Sequence, residues 1–267
     1  MAGDAPLSPR FGPPLRMGGW CLRLAGPGDI AALRDLRARA FGRDADGDCF
    51  DADALHLHLG CDAPGAPPLA TARLWVHGGG GALLRGYTGT VYELGALAER
   101  GGVSLELGRL CTEPGQGGAD LLRLIWAGVA RLALASGAAR LVGCTSFAGT
   151  EPPPAAALSL LSARHLGPKA LRPGRKAPET LPLPETLMRP APGAADAQAI
   201  SGLPPLLRAY LALGAWVGDH LVIDRDLDTC HIFTCLDIAA LPAARRHTLA
   251  RLAAANAERG APDETGE

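Results

Sequence analysis

The sequence has few aromatic residues, no long apolar segment and no excess of basic charge. Aromatic residues make up 4% of its 267 residues, and no apolar run approaches the ~20 residues that a membrane-spanning helix needs. Lysine and arginine together number 26 against 27 aspartate and glutamate, so the formal net charge is -1. Because nucleic-acid binding depends on a basic surface, this balance excludes a general nucleic-acid-binding protein.

Cysteine is present but follows no recognisable pattern. The seven cysteines are odd in number and none forms a CxxC pair, which predicts reduced thiols in a cytoplasmic protein rather than a disulfide framework. His56 and His58 share one face of a predicted strand, but no third ligand follows at metal spacing, so we expect no metal site. The first residues lack the apolar stretch of a secretory signal, and 1–19 is predicted to be a disordered lead-in.

Strand and helix patterns alternate along the rest of the chain, which predicts an α/β or α+β fold with helices flanking a mixed central sheet. One domain is predicted over 20–240, followed at 241–267 by a helix and an acidic tail. Within the domain, the Gly-rich segment 77–89 predicts a flexible link, and the Pro-rich segment 167–193 predicts an irregular insert. The predicted helices are 30–41 and 119–136, and the predicted strands are 20–25, 55–60, 67–76, 101–112, 139–149 and 229–238.

One predicted strand carries two charges, Glu106 and Arg109, just before a Gly-rich turn. Residues three apart face opposite sides of a regular strand. Gly108 lies between them, and we expect a β-bulge there that would aim both charges at one face. The spacing alone leaves two interpretations open, a catalytic pair and an exposed ion pair.

Other candidate residues give weaker signals. The turn PGQGGAD before a helix is typical of an anion site, although strand-to-helix loops often contain glycine and Asp120 would repel a phosphate. Arg37 and Arg73 interrupt apolar patterns, so each is either part of a structural ion pair or a carboxylate ligand. Ser146 does not lie in a GxSxG motif, which argues against a serine hydrolase.

Four segments together resemble a known family. They are LELGRLCTEP, LLRLIWAGVARLA, RLVGCTSFAGTEP and LPPLLRAYLALGAWVGDHLVIDRDLDTCHIFTCLDI. In combination they are similar to the bacterial ornithine–acyl-carrier-protein N-acyltransferases, a hemolysin-like branch of the GNAT acyltransferases. The resemblance runs from about Trp20 to Ile238, and its last segment is the most specific, because the related acyl-homoserine-lactone synthases lack that C-terminal extension. A GNAT-like fold with this extension is therefore expected.

The resemblance implies an enzyme that transfers a (3-hydroxy)acyl chain from acyl-carrier protein to the α-amine of L-ornithine, the first step of ornithine lipid synthesis. No bound cofactor is expected, because the donor is carried on the phosphopantetheine of acyl-carrier protein. The alternatives are a related acyltransferase with another amine or an acyl-CoA donor, and a non-catalytic protein that binds acyl-carrier protein or membranes. The basic side chains of the insert suit an acidic carrier protein or peripheral contact with the inner membrane, and a solvated linker is the competing interpretation; they are Lys169, Arg172, Arg175 and Lys176.

The resemblance also implies roles for individual residues. Glu106 is the expected general base, Arg109 an alternative orienting residue, and the backbone N–H groups of Leu110 and Cys111 are expected near the oxyanion. The expected substrate-binding residues are Arg37, Asp51, His56, Arg73, Ser146 and Phe147. The expected pantetheine-binding residues are Gly115, Gln116, Gly117 and Gly118. Two departures from the family are Leu55, which stands where an aspartate is usual, and a degenerate pyrophosphate loop that suits a carrier protein better than coenzyme A.

Overall fold

The computed structural model describes residues 9–116, 118–185 and 194–254, and these form a mixed α/β structure as predicted. The strands in these ranges are β1 Leu15–Met17, β2 Trp20–Leu24, β3 Leu55–Cys61, β4 Pro68–His77, β5 Tyr92–Glu93, β6 Ser104–Thr112, β7 Arg140–Ala148, β8 Gly174–Arg175, β9 Thr180–Pro182, β10 Trp216–Asp224 and β11 Thr229–Asp237. The α-helices there are α1 Ile30–Ala40, α2 Gly80–Arg85, α3 Tyr87–Val91, α4 Gly95–Glu99, α5 Ala119–Ala135, α6 Ala155–Arg164, α7 Ala194–Ser201, α8 Pro205–Leu213 and α9 Ala243–Ala254.

The chain divides into two compact units, and two of the boundaries between them fall inside strands. Among the described residues, the first unit contains 9–76, 107–116, 118–138 and 242–254, and the second contains 77–106, 139–185 and 194–241. Strand β4 is divided after Val76 and strand β6 after Glu106. Strand β6, which carries Glu106 and Arg109, therefore contributes residues to both units.

The first unit is an antiparallel sheet packed against α5. Strands β1 to β4 are adjacent in chain order, and β6 lies beside β4. Strand β1, which the sequence did not predict, is too short for a period-two pattern; it pairs with β2 through Gly18 and Gly19, whose φ angles of 57° and 82° suit a two-residue hairpin turn. Helix α5 presents Gly128 to this sheet, where an added Cβ would lie 2.6 Å from the side chain of Leu22.

The second unit is built on β6, β7, β11, β10 and β9, which are adjacent in that order. Strands β7 and β11 pair along their whole length, from Ala148 opposite Thr229 to Arg140 opposite Asp237. Strand β10 is antiparallel to both β11 and β9. Helix α8 ends at Gly214, whose φ of 100° stops the helix before β10 begins.

Two segments of the second unit are more regular than predicted. The prediction of a flexible link at 77–89 is wrong, because the segment forms α2 and most of α3 and buries Leu83 and Thr88. The described part of the Pro-rich insert contains β8, which pairs with β5, and β9, which pairs with β10. In the insert, backbone pairing rather than side-chain periodicity forms the strands, so the sequence pattern gave little sign of them. The remaining residues of the insert, 186–193, lie outside the described residues.

Candidate functional site

The first unit contains a closed ring of alternating charges, which we call the arginine–aspartate ring. Its arginines come from α1, β4 and β6, and its aspartates come from the loop between α1 and β3. Within the ring, each arginine contacts two of the aspartates and each aspartate contacts two of the arginines. The members are Arg37, Asp51, Arg73, Asp48, Arg109 and Asp46.

Arg37 lies at the most buried part of the ring. Its Nε is 2.5 Å from Asp46 Oδ2, and its two terminal nitrogens donate to Asp51 at 2.9 and 2.6 Å. The side chains of all three residues are 1% exposed. Arg37 is therefore part of a structural ion pair, one of the two alternatives that the sequence left open.

Arg73 and Arg109 close the ring. Arg73 binds Asp48 and donates to Asp51 Oδ1 at 2.9 Å. Arg109 donates to Asp48 Oδ2 at 3.0 Å, and its Nε lies 3.6 Å from Asp46 Oδ1. The acidic loop is thus fixed to three separate secondary structure elements.

Asp51 and Arg37 keep their charges at neutral pH. Burial alone would raise the pKa of Asp51, but hydrogen bonds from Arg37 and Arg73 lower it well below its ordinary range. Burial alone would lower the pKa of Arg37, and ion pairing with Asp51 and Asp46 raises it. Each buried charge is therefore compensated by a charge of opposite sign.

Two other predicted residues, His56 and Cys111, lie beside the ring. Asp51 also accepts from Arg34 at 3.1 Å, so guanidinium groups occupy both of its oxygens. His56 is buried with its Nε2 3.1 Å from the backbone oxygen of Asp51, and burial lowers its pKa. Burial raises the pKa of the Cys111 thiol to about 12, as expected for a core residue.

Strand β6 is irregular at the point where a bulge was predicted. Arg109 has a φ of 49°, in the left-handed region that residues other than glycine seldom adopt. It adjoins Gly108, so the irregularity falls one residue after the predicted position. The prediction that Glu106 and Arg109 share one face of the sheet stays a prediction.

The Gly-rich turn follows this strand in the first unit. Gly115 has a φ of 77°, and the backbone N–H of Gln116 donates to Glu113 at 2.9 Å. Gly118 stands immediately before α5 and accepts from the N–H of Leu122. Gly117, the fourth residue expected to bind pantetheine, lies outside the described residues.

In the second unit, Glu106 is buried and contacts Thr88 and the imidazole of His77. Its Oε1 accepts from the backbone N–H of Thr88 at 2.6 Å and from the Thr88 hydroxyl at 2.5 Å. Its Oε2 lies 2.7 Å from His77 Nε2. Glu106 is 5% exposed, and both of its partners are 0% exposed. This carboxylate therefore differs from those of the ring, because no arginine is among these partners.

Gly86 sets the space around the Glu106 carboxylate. A Cβ added at Gly86 would lie 2.2 Å from Glu106 Oε2 and 2.7 Å from His77 Nε2. Gly86 has a φ of -67°, which any residue can adopt, so lack of space rather than backbone conformation requires glycine here. The carboxylate and the imidazole are packed directly against the backbone.

Ser146 and Phe147 line a pocket in the second unit, at the end of β7. Its volume is ≈ 540 Å³, and its other walls include Glu151 and the prolines at 152–154 and 204–205. Ser146 is exposed and Phe147 belongs to the apolar core beneath the pocket. The lining is mostly apolar with two polar groups, which is typical of a small-molecule or acyl-chain site.

The described part of the chain contains neither a cluster of metal-binding side chains nor a membrane-spanning helix. Within 9–116, 118–185 and 194–254, no group of three or more histidine, cysteine, aspartate or glutamate side chains could hold a metal ion. In the same ranges, no helix is both long and apolar enough to cross a bilayer.

Comparison with known proteins first indicates a class, the acyltransferases. The particular relatives are L-ornithine N(alpha)-acyltransferases. That of Rhodobacter capsulatus is 32% identical over 173 residues, which cover 62% of this chain and 63% of that protein. That of Rhizobium meliloti is 32% identical over 162 residues, which cover 58% and 52%. The resemblance that the sequence motifs indicated is thus confirmed, and the match spans less than two thirds of either relative. No family model matches the sequence.

Solved structures show weaker likeness. The CoA-dependent acyl-homoserine lactone synthase MesI is 12% identical, with 87% of this chain and 95% of that chain covered and a TM-score of 0.41. FeeM, an N-acyl amino acid synthase from uncultured soil microbes, is 17% identical, with 55% and 84% covered and a TM-score of 0.39. Likeness at this level carries no argument about function.

Several residues of these clusters were not predicted from the sequence. Asp46 and Asp48 were not among the candidate residues of the sequence, although buried arginines require partners. His77 and Thr88 contact Glu106 across 29 and 18 residues of sequence, and both lie in the segment predicted to be a flexible link. Only the fold brings these residues together, so no local pattern could have identified them.

Proposed function

We propose that this chain is an N-acyltransferase that moves a (3-hydroxy)acyl group from acyl-carrier protein to the α-amine of L-ornithine. The product would be lyso-ornithine lipid, and the reaction would be the first step of ornithine lipid synthesis. The observation that carries the proposal is the 32% identity over 173 residues to the L-ornithine N(alpha)-acyltransferase of Rhodobacter capsulatus. The buried carboxylate of Glu106 supports it, because the reaction needs a proton acceptor.

The proposed reaction forms one amide bond and breaks one thioester bond. The nitrogen lone pair attacks the thioester carbonyl carbon, and the carbon–sulfur bond then breaks. An α-amine with a pKa of about 8 is mostly protonated at neutral pH, so a base must take a proton before or during attack. The ammonium loses two protons on becoming the amide nitrogen; the released thiolate takes up one and solvent takes the other, so the protons balance and no cofactor is consumed.

We assign the proton transfer to Glu106. Three of its approximately four lone-pair positions are occupied by the donors of Thr88 and His77, which leaves one position on Oε2. That position would accept the amine proton and then return it to the departing sulfur. Arg109 as an orienting residue is the competing assignment, since it is the irregular point of the same strand.

The remaining roles implied by the family stay proposals. We assign the oxyanion to the backbone N–H groups of Leu110 and Cys111. Carboxylate binding by Arg37, Arg73 or Arg109 would compete with the aspartates of the ring, and Arg109 has the most exposed side chain of the three, at 11%. The expected roles of His56 and Asp51 in substrate binding, and of 115–118 in pantetheine binding, are untested.

We place the acyl chain in the pocket beside Ser146 and Phe147. The pocket volume of ≈ 540 Å³ lies within the range of about 300–1,000 Å³ that is usual for small-molecule sites. The prolines around it form a rigid apolar wall, and Ser146 offers a hydroxyl that can bond a 3-hydroxy group. The expected preference is for acyl chains over acetyl groups.

We assign docking of the acidic carrier protein to the basic part of the insert. Lys169, Arg175 and Lys176 are exposed, and the Lys176 amine donates to the backbone oxygen of Gly89 at 2.6 Å. This contact holds Lys176, and the β8–β5 pairing holds the backbone of Arg175, which supports a docking role over a solvated linker. Peripheral contact with an anionic membrane is the alternative, and a cytoplasmic location stays a prediction.

The proposed function is tested by incubating the purified protein with acyl-carrier protein charged with a 3-hydroxyacyl chain. L-Ornithine, L-lysine and glycine serve as competing amines, and the corresponding acyl-CoA serves as a competing donor. We expect mass spectrometry to detect N-acylornithine as the main product and little product from acyl-CoA. A main product on another amine would indicate a related acyltransferase, and binding of acyl-carrier protein without any amide would contradict the enzyme assignment.

A further inference from the structure

We propose that His77 and Thr88 are positioning residues for the acyl transfer, because they hold the two oxygens of Glu106 in one orientation. The inference rests on the proposed function, since it assumes that Glu106 takes part in the reaction. Neither residue belongs to the motifs that carry the family resemblance. Each would act through Glu106 rather than by contact with substrate.

The hydrogen bonds assign different tasks to the two residues. Thr88 fills both lone-pair positions of Oε1 with its backbone N–H at 2.6 Å and its hydroxyl at 2.5 Å. His77 lies 2.7 Å from Oε2 through Nε2. Because an ionised carboxylate only accepts hydrogen bonds, the tautomer with a proton on Nε2 fits this contact. Oε1 is therefore fully occupied, and the free lone pair of the carboxylate is confined to Oε2.

Packing prevents the carboxylate from turning to another position. Thr88 and His77 are 0% exposed, so water does not compete for their hydrogen bonds. A methyl group at Gly86 would lie 2.2 Å from Oε2, so the carboxylate has no space to move toward Gly86. The Cys144 sulfur lies 3.9 Å from the hydroxyl oxygen of Thr88. Preorganisation of this kind matters for rate, because a displacement of about 1 Å at a reacting group can cost about 10²-fold.

The test uses paired variants that either remove or retain one donor. Thr88→Val removes the hydroxyl at nearly constant shape, whereas Thr88→Ser retains it. His77→Leu removes the ring donor, whereas His77→Gln retains an N–H near the position of Nε2. We expect the donor-removing variants to lower kcat about 10- to 100-fold with KM for ornithine nearly unchanged, and we expect the donor-retaining variants to recover most of that loss.

A structural role is separated from a positioning role by combining the same substitutions with Glu106→Gln. A positioning residue acts only through Glu106, so Thr88→Val and His77→Leu should lower kcat no further in that background. Additive losses in the double variants would overturn the proposal. Circular dichroism and thermal unfolding of every variant give the folded fraction to which each kcat is normalised. If either donor-removing variant does not fold, the other carries the test.

The outcomes also separate this proposal from the proposed function. If wild-type protein acylates ornithine and Thr88→Val and His77→Leu keep the wild-type kcat, the positioning role is wrong and the function stands. If wild-type protein does not acylate ornithine, both fail. Loss in the donor-removing variants, recovery in their partners and absence of further loss beside Glu106→Gln support the proposal.

Discussion

Buried carboxylates occur in both units of this chain, and their partners differ. In the first unit, Asp51 accepts hydrogen bonds from Arg37, Arg73 and Arg34. In the second unit, Glu106 accepts from the backbone and hydroxyl of Thr88 and contacts the imidazole of His77. The first carboxylate is surrounded by positive charge, whereas the second has a hydroxyl, an amide and a titratable ring.

The difference indicates separate tasks for the two clusters. A buried carboxylate paired with arginines is compensated, and removing one partner leaves an unpaired buried charge. A carboxylate held by a hydroxyl, an amide and an imidazole stays oriented without an arginine among these partners, which suits it to accept a proton or to face a developing positive charge. We therefore expect the ring to govern stability and Glu106 to govern turnover.

The largest expected effect on stability comes from breaking the ring at Arg37. Arg37→Met should lower the free energy of unfolding by about 3–5 kcal/mol, because Asp46 and Asp51 would each lose a buried partner. Arg39→Met is the matched control on the same helix, since Arg39 pairs with Glu113 at the surface. Urea unfolding of both variants measures the effect, and equal midpoints would show that the ring has no special structural role.

A smaller effect, on turnover, is expected at Gly86. Gly86→Ala should lower kcat about 100-fold by displacing the Glu106 carboxylate, with no change in any reacting group. Gly81→Ala is the matched control in the same segment, because the nearest atom to an added Cβ there is 3.6 Å away at the end of a flexible arginine. Steady-state kinetics with normalisation to folded protein measures the difference. Identical kcat values would mean that the orientation of Glu106 is unimportant.

The smallest expected effect is on the pH dependence of stability, and it comes from the buried residue His231. His231 has its pKa lowered to about 4 by burial, against 6.5 for the ordinary side chain. The unfolded state therefore binds a proton that the folded state does not, and this residue costs about 1 kcal/mol of stability between about pH 6.5 and about pH 5.5. His231→Leu should make urea midpoints less dependent on pH across this window. An unchanged dependence would show that His231 does not contribute to it.

The sequence was sufficient to predict elements with strong periodicity. The apolar face of 119–136 predicted a helix, and α5 covers Ala119–Ala135. The alternation of LHLHLG predicted a strand, and β3 covers Leu55–Cys61. In both segments, side-chain burial at helical or strand spacing determines the element, so the pattern is visible in the sequence itself.

The environment of Glu106 could not be predicted in this way. The glycines of 77–89 suggested flexibility, although Gly86 is needed for close packing against Glu106 and His77. A glycine that fits a tight space and one that loosens a loop look identical in sequence. The roles of Gly86 and His77 depend on long-range contacts with Glu106, which the sequence does not show. The arginines of the ring differ, because an arginine within an apolar pattern predicts a charged partner.

The most direct test of the account is kcat for Glu106→Gln with charged acyl-carrier protein and L-ornithine. Loss of a general base predicts that kcat falls about 10²- to 10⁴-fold while thermal unfolding shows a folded protein. Glu99→Gln, on the exposed surface of α4, should keep the wild-type rate. A near wild-type rate in Glu106→Gln would contradict the assignment of proton transfer to this carboxylate.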